Sequence, residues 1–208
     1  MKQTVISKPH LLIGEGLEEV HFFTALLKNT GIRDVQVLSC GGVGNLSDIA
    51  KTLVDQSGFA LVKALVLTRD ADDNPRGAKQ SIEAFAEAIR EQARAKPPPI
   101  CNVRVETFVM PGNDKPGALE DLVLESLSTG TLDSCIDSFF SCRDGLTPAL
   151  PDHTHAERSK AKVRAWLAAQ KPPDLLLGIA AQKGWIDWSS PAFNELQTFL
   201  NRAFSSLP

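Results

Sequence analysis

The chain has 208 residues, 43% of them apolar and 23% charged, with a formal net charge of −3 and a pI near 5.8. That is enough chain to bury one full core with an appendage, and its acidic balance argues against a protein that holds nucleic acid through a broad basic face, although not against a nuclease whose metal site is itself acidic. No apolar run nears the ~20 residues that cross a bilayer, and the start Met1-Lys-Gln-Thr-Val-Ile-Ser7 lacks the apolar core of a signal peptide, so cytoplasmic placement without a membrane is expected.

His10-Leu-Leu-Ile-Gly-Glu-Gly16 reads as a short strand ending in a glycine-flanked turn, followed by a helix over Leu17 to Asn29 with Val20, Phe23, Leu26 and Leu27 at helical spacing. Glu15 sits on that turn, where the flanking glycines let the backbone bend and project one acidic side chain over the strand end. Glu18 and Glu19 fall in the first helical turn, where a carboxylate also favours the positive helix amino terminus. Asp34 to Ser39 reads as a second strand. Cys40-Gly-Gly-Val-Gly-Asn45 is a glycine-rich loop opening a helix from Leu46 to about Gln56. The amides of Gly41 and Gly42 are candidates for holding a phosphate, yet the loop matches neither Gly-x-Gly-x-x-Gly nor a nucleoside triphosphate loop ending in Lys-Ser/Thr, and a plain strand-to-helix turn explains it equally well.

Lys63-Ala-Leu-Val-Leu-Thr-Arg-Asp-Ala-Asp-Asp73 is the stretch that organises the chain. Its apolar run reads as a buried parallel strand, and because side chains repeat on one face every second residue, Asp70 and Asp72 are expected to point the same way. Like charges that close repel unless a cation lies between them, and a hard ion such as Mg²⁺ prefers oxygen ligands. Asn74, Pro75 and Gly77 stop the strand, and an amphipathic helix is predicted from about Arg76 to Ala95. Lys96-Pro-Pro-Pro99 ends it, and Cys101 to Met110 alternates as a fourth, more peripheral strand. The first 110 residues thus read β-α-β-α-β-α-β, and right-handed crossovers make this an α/β three-layer sandwich with a mainly parallel four-stranded sheet. In the strand order 2-1-3-4 the first and third strands are neighbours at the switch point, which brings Glu15 beside Asp70 and Asp72 at the carboxyl end of the sheet, where open α/β sheets bind ligands.

Ala118 to Leu127 begins a helix with Glu120 and Asp121 in its first turn. Helices are predicted from about Leu132 to Phe140, over Glu157 to Gln170, and over Phe193 to Phe204, with a Pro-Pro break at 172 and 173. The expected division is a core of residues 1–127 and a helical extension of residues 128–208 packed on it. Cys40, Cys101, Cys135 and Cys142 form no Cys-x-x-Cys pair, so free thiols and no zinc are expected, and His153-Thr-His155 reads as an ordinary loop.

Taken together, strand-Glu15-Gly16-x-x-Glu19 followed by strand-Asp70-x-Asp72 resembles the Toprim domain shared by topoisomerases, bacterial primases and OLD-family nucleases. The resemblance covers roughly residues 8 to 125. The Gly41-Gly42 turn looks like the glycine pair that follows the second strand in OLD-like relatives, and the Pro-Gly-x-Leu-Glu120-Asp segment and the Ser159-Lys160-Ala-Lys162 helix are similar to an uncharacterised Toprim-related family close to the OLD nucleases. The resemblance implies a Toprim-like fold and a divalent Mg²⁺ or Mn²⁺ site on Glu15, Glu19, Asp70 and Asp72. It also implies phosphoryl transfer with Glu15 and one of Lys160 or Lys162 as catalytic groups, Glu120 lining the site, and DNA or RNA as substrate.

These 208 residues hold no ATPase segment, whereas OLD nucleases carry one on the same chain. A separate ATPase partner, or a non-catalytic module that binds metal or nucleotide and regulates such a partner, is therefore the alternative expectation; self-association into a homo-oligomer is left open. The chain contains no tyrosine, so strand cleavage through a covalent phosphotyrosine on this chain is excluded on chemistry. A receiver-like reading ranks lowest, because no fifth strand with a following lysine is visible.

Overall fold

In the computed structural model, which describes residues 5–41, 46–112, 115–127, 131–146, 148 and 150–205, the apolar runs become the strands of one sheet. These are β1 (His10–Gly14), β2 (Val35–Ser39), β3 (Ala64–Asp70) and β4 (Arg104–Met110), all parallel, in the order β2-β1-β3-β4. The predicted order is the observed one. β1 and β3 sit in the middle, and Leu11, Leu12, Leu65 and Val66 are fully buried because both faces of the central strands are covered.

Alternation along these strands sorts their side chains into two apolar layers. Leu11, Ile13, Leu65 and Leu67 face a layer built with α2 (Leu46–Val54) and α3 (Pro75–Arg94), through Ala50, Leu53, Ile82, Phe85 and Ile89. Leu12 and Val66 face the opposite layer, made with α1 (Leu17–Thr30), α4 (Leu119–Leu127), α5 (Thr131–Asp144), α6 (His155–Ala168), α7 (Leu177–Gln182) and α8 (Asn194–Phe204). The result is the expected three-layer α/β sandwich, with the later helices on one side of the sheet. α8 carries Leu196, Phe199 and Leu200 into that layer, and the Phe199 ring lies 5.0 Å from that of Phe108 on β4.

Local chemistry explains the helix ends next to the strand tips. α3 starts where Asn74 accepts the Gly77 N–H at 2.9 Å with Pro75 in the first turn, an arrangement that satisfies a helix donor and presets φ. α1 starts at Gly16, whose N–H donates to Glu19 Oε2 at 2.8 Å, and α6 starts with a Thr154/Glu157 capping box. α7, which the sequence reading did not separate from the Pro-Pro break, docks on α1: Leu177 N–H donates to Glu18 Oε1 at 3.0 Å, and a Cβ at Gly178 would stand 2.4 Å from the Glu18 carbonyl oxygen. Only a glycine permits that approach. Among the described residues no helix is long and apolar enough to cross a membrane.

Candidate functional site

The site is built at the carboxyl ends of β1 and β3. Asp70 is the last residue of β3, and its side chain turns away from water; the residue is 8% exposed. Its two oxygens have different neighbours. Oδ1 accepts the N–H of Leu119, the first residue of α4, at 3.0 Å, while Oδ2 faces Lys160 Nζ at 3.9 Å. Burial is the largest cause that lifts the Asp70 carboxyl to about 8; the negative charges of Glu120 and Glu15 push the same way, while Lys160 and the Leu119 N–H resist.

Asp72 reaches the same cation by a different route from the one strand alternation implies. The strand stops at Asp70, and Asp72 takes a left-handed conformation (φ 47°) in a short antiparallel bridge, exchanging backbone hydrogen bonds of 2.7 Å with Gly117 in both directions. Aspartate tolerates that conformation better than most residues, and Gly117 itself sits at φ 130°. The bridge ties the end of β3 to the start of α4. Asp72 Oδ1 then lies 3.6 Å from Lys160 Nζ, so the two aspartates do face one ammonium, with Asp72 the more open of the pair.

Glu15 stands on the turn after β1. Its Oε1 is 3.8 Å from Arg69 Nε, and Arg69 Nη1 donates to Ser81 Oγ on α3 at 3.0 Å. Burial raises the Glu15 carboxyl first of all, Arg69 and Lys160 lower it, and Glu19 and Asp72 raise it. Glu120, at the start of α4, is also raised, chiefly by burial, with Glu18 and Glu19 adding to that and Lys160 opposing it. Lys160 reports the same balance from the other side: partial burial works against its charge, and Asp70, Glu120 and Asp72 outweigh that and raise it. Glu15, Asp70, Asp72 and Glu120 therefore all lie within electrostatic reach of Lys160.

The position of Lys160 is fixed by its neighbour. Ser159 is buried in α6 and donates to Asp121 Oδ1 on α4 at 2.7 Å; His155 Nε2 shares that oxygen at 2.9 Å, and Asp121 Oδ2 accepts the Ala118 N–H at 2.7 Å. The knot clamps α6 to α4 and aims the next side chain, Lys160, across to β3.

The sequence pattern of the family described as "Protein of unknown function (DUF3226)" matches residues 9–205. The chain belongs to this family. The DUF3226 span contains both strand ends, the α4 start and the whole of α6. Among solved structures the chain is similar to the C-terminal region of the OLD protein of Xanthomonas campestris pv. campestris, at 11% identity and a TM-score of 0.43, over 96% of this chain and 98% of that one. No protein with a curated description matches the chain.

In this DUF3226 chain the two candidate lysines part company. Lys160 enters the acidic crevice, whereas Lys162 pairs with Asp137 of α5. Glu19 keeps Oε2 on the Gly16 N–H and stands beside Glu15 at the start of α1. Gly41 is at φ 82° just past β2, its N–H donating to Ser39 Oγ at 3.0 Å; Gly42 lies outside the described residues. Arg69 is a site residue that sequence reading passed over. A charged residue inside an apolar strand, one position before Asp70, was the available signal.

The donor set is all carboxylate oxygen, which suits a hard divalent cation, and burial raises Glu15, Asp70 and Glu120 although Lys160 opposes it at all three and Arg69 at Glu15. In position, however, the crevice is organised around an ammonium. Among the described residues no group of three or more His, Cys, Asp or Glu side chains is arranged to hold a metal ion. The donor chemistry fits such an ion, while the arrangement seats the Lys160 ammonium beside Asp70 and Asp72.

Proposed function

We propose that the chain is a metal-dependent phosphoryl-transfer protein of the Toprim kind, a nuclease acting on phosphodiester bonds in nucleic acid. The observation that carries this reading is the meeting of Asp70 and Asp72 with Lys160 at a strand end, inside the electrostatic reach of Glu15 and Glu120. A Toprim-like order of glutamate after the first strand and Asp-x-Asp after the third supports it. Asp70 Oδ2 and Asp72 Oδ1 are the first ligand atoms under this proposal, with Glu15 completing the set and Glu19 beside it.

A bound Mg²⁺ or Mn²⁺ would supply an activated water and a positive charge at the leaving oxygen. The chain's own groups do the rest. Leu119 N–H holds Asp70 in one orientation. Lys160 offsets negative charge on the phosphoryl group, and Arg69, held by Ser81 and Glu15, offers a second cation to a neighbouring phosphate. Lys160 comes from the helical part, residues 128–208, so the proposed site takes groups from both the 1–127 core and its extension.

A non-catalytic module working with a separate ATPase has one observation in its favour: Lys160 already balances the aspartate pair without metal. The discriminating experiment incubates supercoiled DNA, single-stranded DNA and RNA with purified protein and Mn²⁺, beside a Glu15→Gln control. Metal-dependent cleavage that the control loses supports the nuclease; metal binding without cleavage by either protein supports the regulatory module.

A further inference from the structure

Lys160 Nζ lies 3.9 Å from Asp70 Oδ2 and 3.6 Å from Asp72 Oδ1, between the two carboxyl groups. Those oxygens are the ones the metal-binding reading assigns as ligands. A ligand oxygen lies only ~2.1 Å from Mg²⁺, and two such oxygens drawn onto one ion leave no place for an ammonium between them. We propose that Lys160 and a divalent cation are alternative occupants of the notch between Asp70 and Asp72. The lysine is the site's own counter-ion, expelled when metal enters. This inference rests on the metal-binding reading above.

The surroundings make the exchange a movement of one side chain. The backbone of α6 is held by Ser159 and His155 on Asp121, and neither bond involves Lys160. On the other wall, Asp70 Oδ1 stays on the Leu119 N–H while Oδ2 changes partner. The Lys160 side chain is 38% exposed and that of Asp72 60%, so the notch opens to water and the ammonium has a way out. A four-carbon stem carrying a point charge can swing through several ångströms, which a planar, forked guanidinium would do less readily. Lys162 offers an internal reference, because its partner Asp137 lies on α5, away from the notch.

The expulsion also gives Lys160 two successive places. In the metal-free protein it sits between the carboxyl groups of Asp70 and Asp72. With the cation in the notch, the freed ammonium turns to the open side, where an incoming phosphate would meet it.

The test uses the full wild-type chain. Lysines are labelled by brief acetylation and quantified by mass spectrometry in metal-free buffer and in saturating Mn²⁺, and Mn²⁺ binding is followed by electron paramagnetic resonance for the wild type and Lys160→Met. The expected result is at least a threefold rise in Lys160 labelling on Mn²⁺ addition with Lys162 unchanged, and at least tenfold tighter Mn²⁺ binding by the variant. Binding by Lys160→Met alone, with none by the wild type, also supports exclusion by the lysine. Mn²⁺ binding to the wild type with Lys160 labelling unchanged or reduced overturns the exchange and leaves the metal reading standing. Absence of binding by both proteins overturns the metal reading and this inference with it. The labelling arm needs no variant, so a Lys160→Met chain that fails to fold does not stop the test.

Discussion

The carboxylate of Asp70 accepts the backbone N–H of Leu119 at 3.0 Å, joining the last residue of β3 to the first of α4. One side chain thus caps a helix with one oxygen and faces Lys160 with the other. The two roles separate under mutation. Asp70→Asn keeps an acceptor for Leu119 and removes the buried charge; Asp70→Ala removes both. In metal-free buffer near pH 8 the asparagine variant is expected to melt at or above the wild-type temperature. The alanine variant should fall below the asparagine variant by about 1 kcal/mol, the usual worth of a helix cap. Thermal melts of the three proteins check this, and an asparagine variant that melts far below wild type would mark the charge itself as a structural necessity.

The same residue sets a pH dependence. A carboxyl lifted to about 8 in the fold, against 3.8 unfolded, keeps a proton in the folded state that the unfolded chain releases between those values. Folding is favoured on the acid side, and that contribution is lost as pH rises through the window from about 4 to about 8. Burial also raises Glu15 and Glu120, which adds to the slope in the same direction. Metal-free denaturation followed from pH 5 to 8.5 should therefore show declining stability, with a smaller decline in Asp70→Asn. Equal slopes for the two proteins would remove Asp70 as the cause.

Strand order, layers and the place of Glu15 and Asp70 were legible in the sequence because they depend on apolar runs, turn glycines and right-handed crossovers. Asp72 was legible in position and misread in mechanism: nothing in Asp70-Ala-Asp72 announces a left-handed backbone, which depends on a bridge to Gly117 far along the chain. Lys160 and Lys162 could not be told apart by spacing alone. Two residues along a helix are ~200° apart, so only one can face a given crevice, but which one depends on the Ser159–Asp121 bond between helices. α7 escaped notice because its six residues follow two prolines and include Gly178, poor signals for a helix whose formation depends on packing against α1.

The Asp121 knot predicts unequal effects at its two ends. Ser159→Ala deletes one hydroxyl and leaves Asp121 its bonds to Ala118 and His155, so a loss of about 1 kcal/mol is expected. Asp121→Ala strands the buried Ser159 hydroxyl and uncaps Ala118, for an expected loss of about 2–3 kcal/mol. Chemical denaturation of both variants measures the difference; equal losses would mean that the knot is not held through Asp121.

Gly14→Ala probes the seating of the first glutamates. A Cβ there would stand 2.7 Å from the Glu19 Cβ, so the first turn of α1 has to shift. A stability loss of about 1–3 kcal/mol is expected, as for overpacking elsewhere, together with weaker Mn²⁺ binding because Glu15 moves with that turn. Unchanged Mn²⁺ affinity in a folded Gly14→Ala protein would remove Glu15 from the ligand set.

The central claim is that the acidic crevice at the ends of β1 and β3 holds a divalent cation. A crystal soaked in Mn²⁺ and measured at the manganese absorption edge tests it most directly. An anomalous peak at direct bonding distance from Asp70 Oδ2 and Asp72 Oδ1, with Glu15 turned toward it and Lys160 Nζ displaced, is the predicted result. A crevice without a peak, in which Lys160 still spans the two aspartates at saturating Mn²⁺, would contradict it.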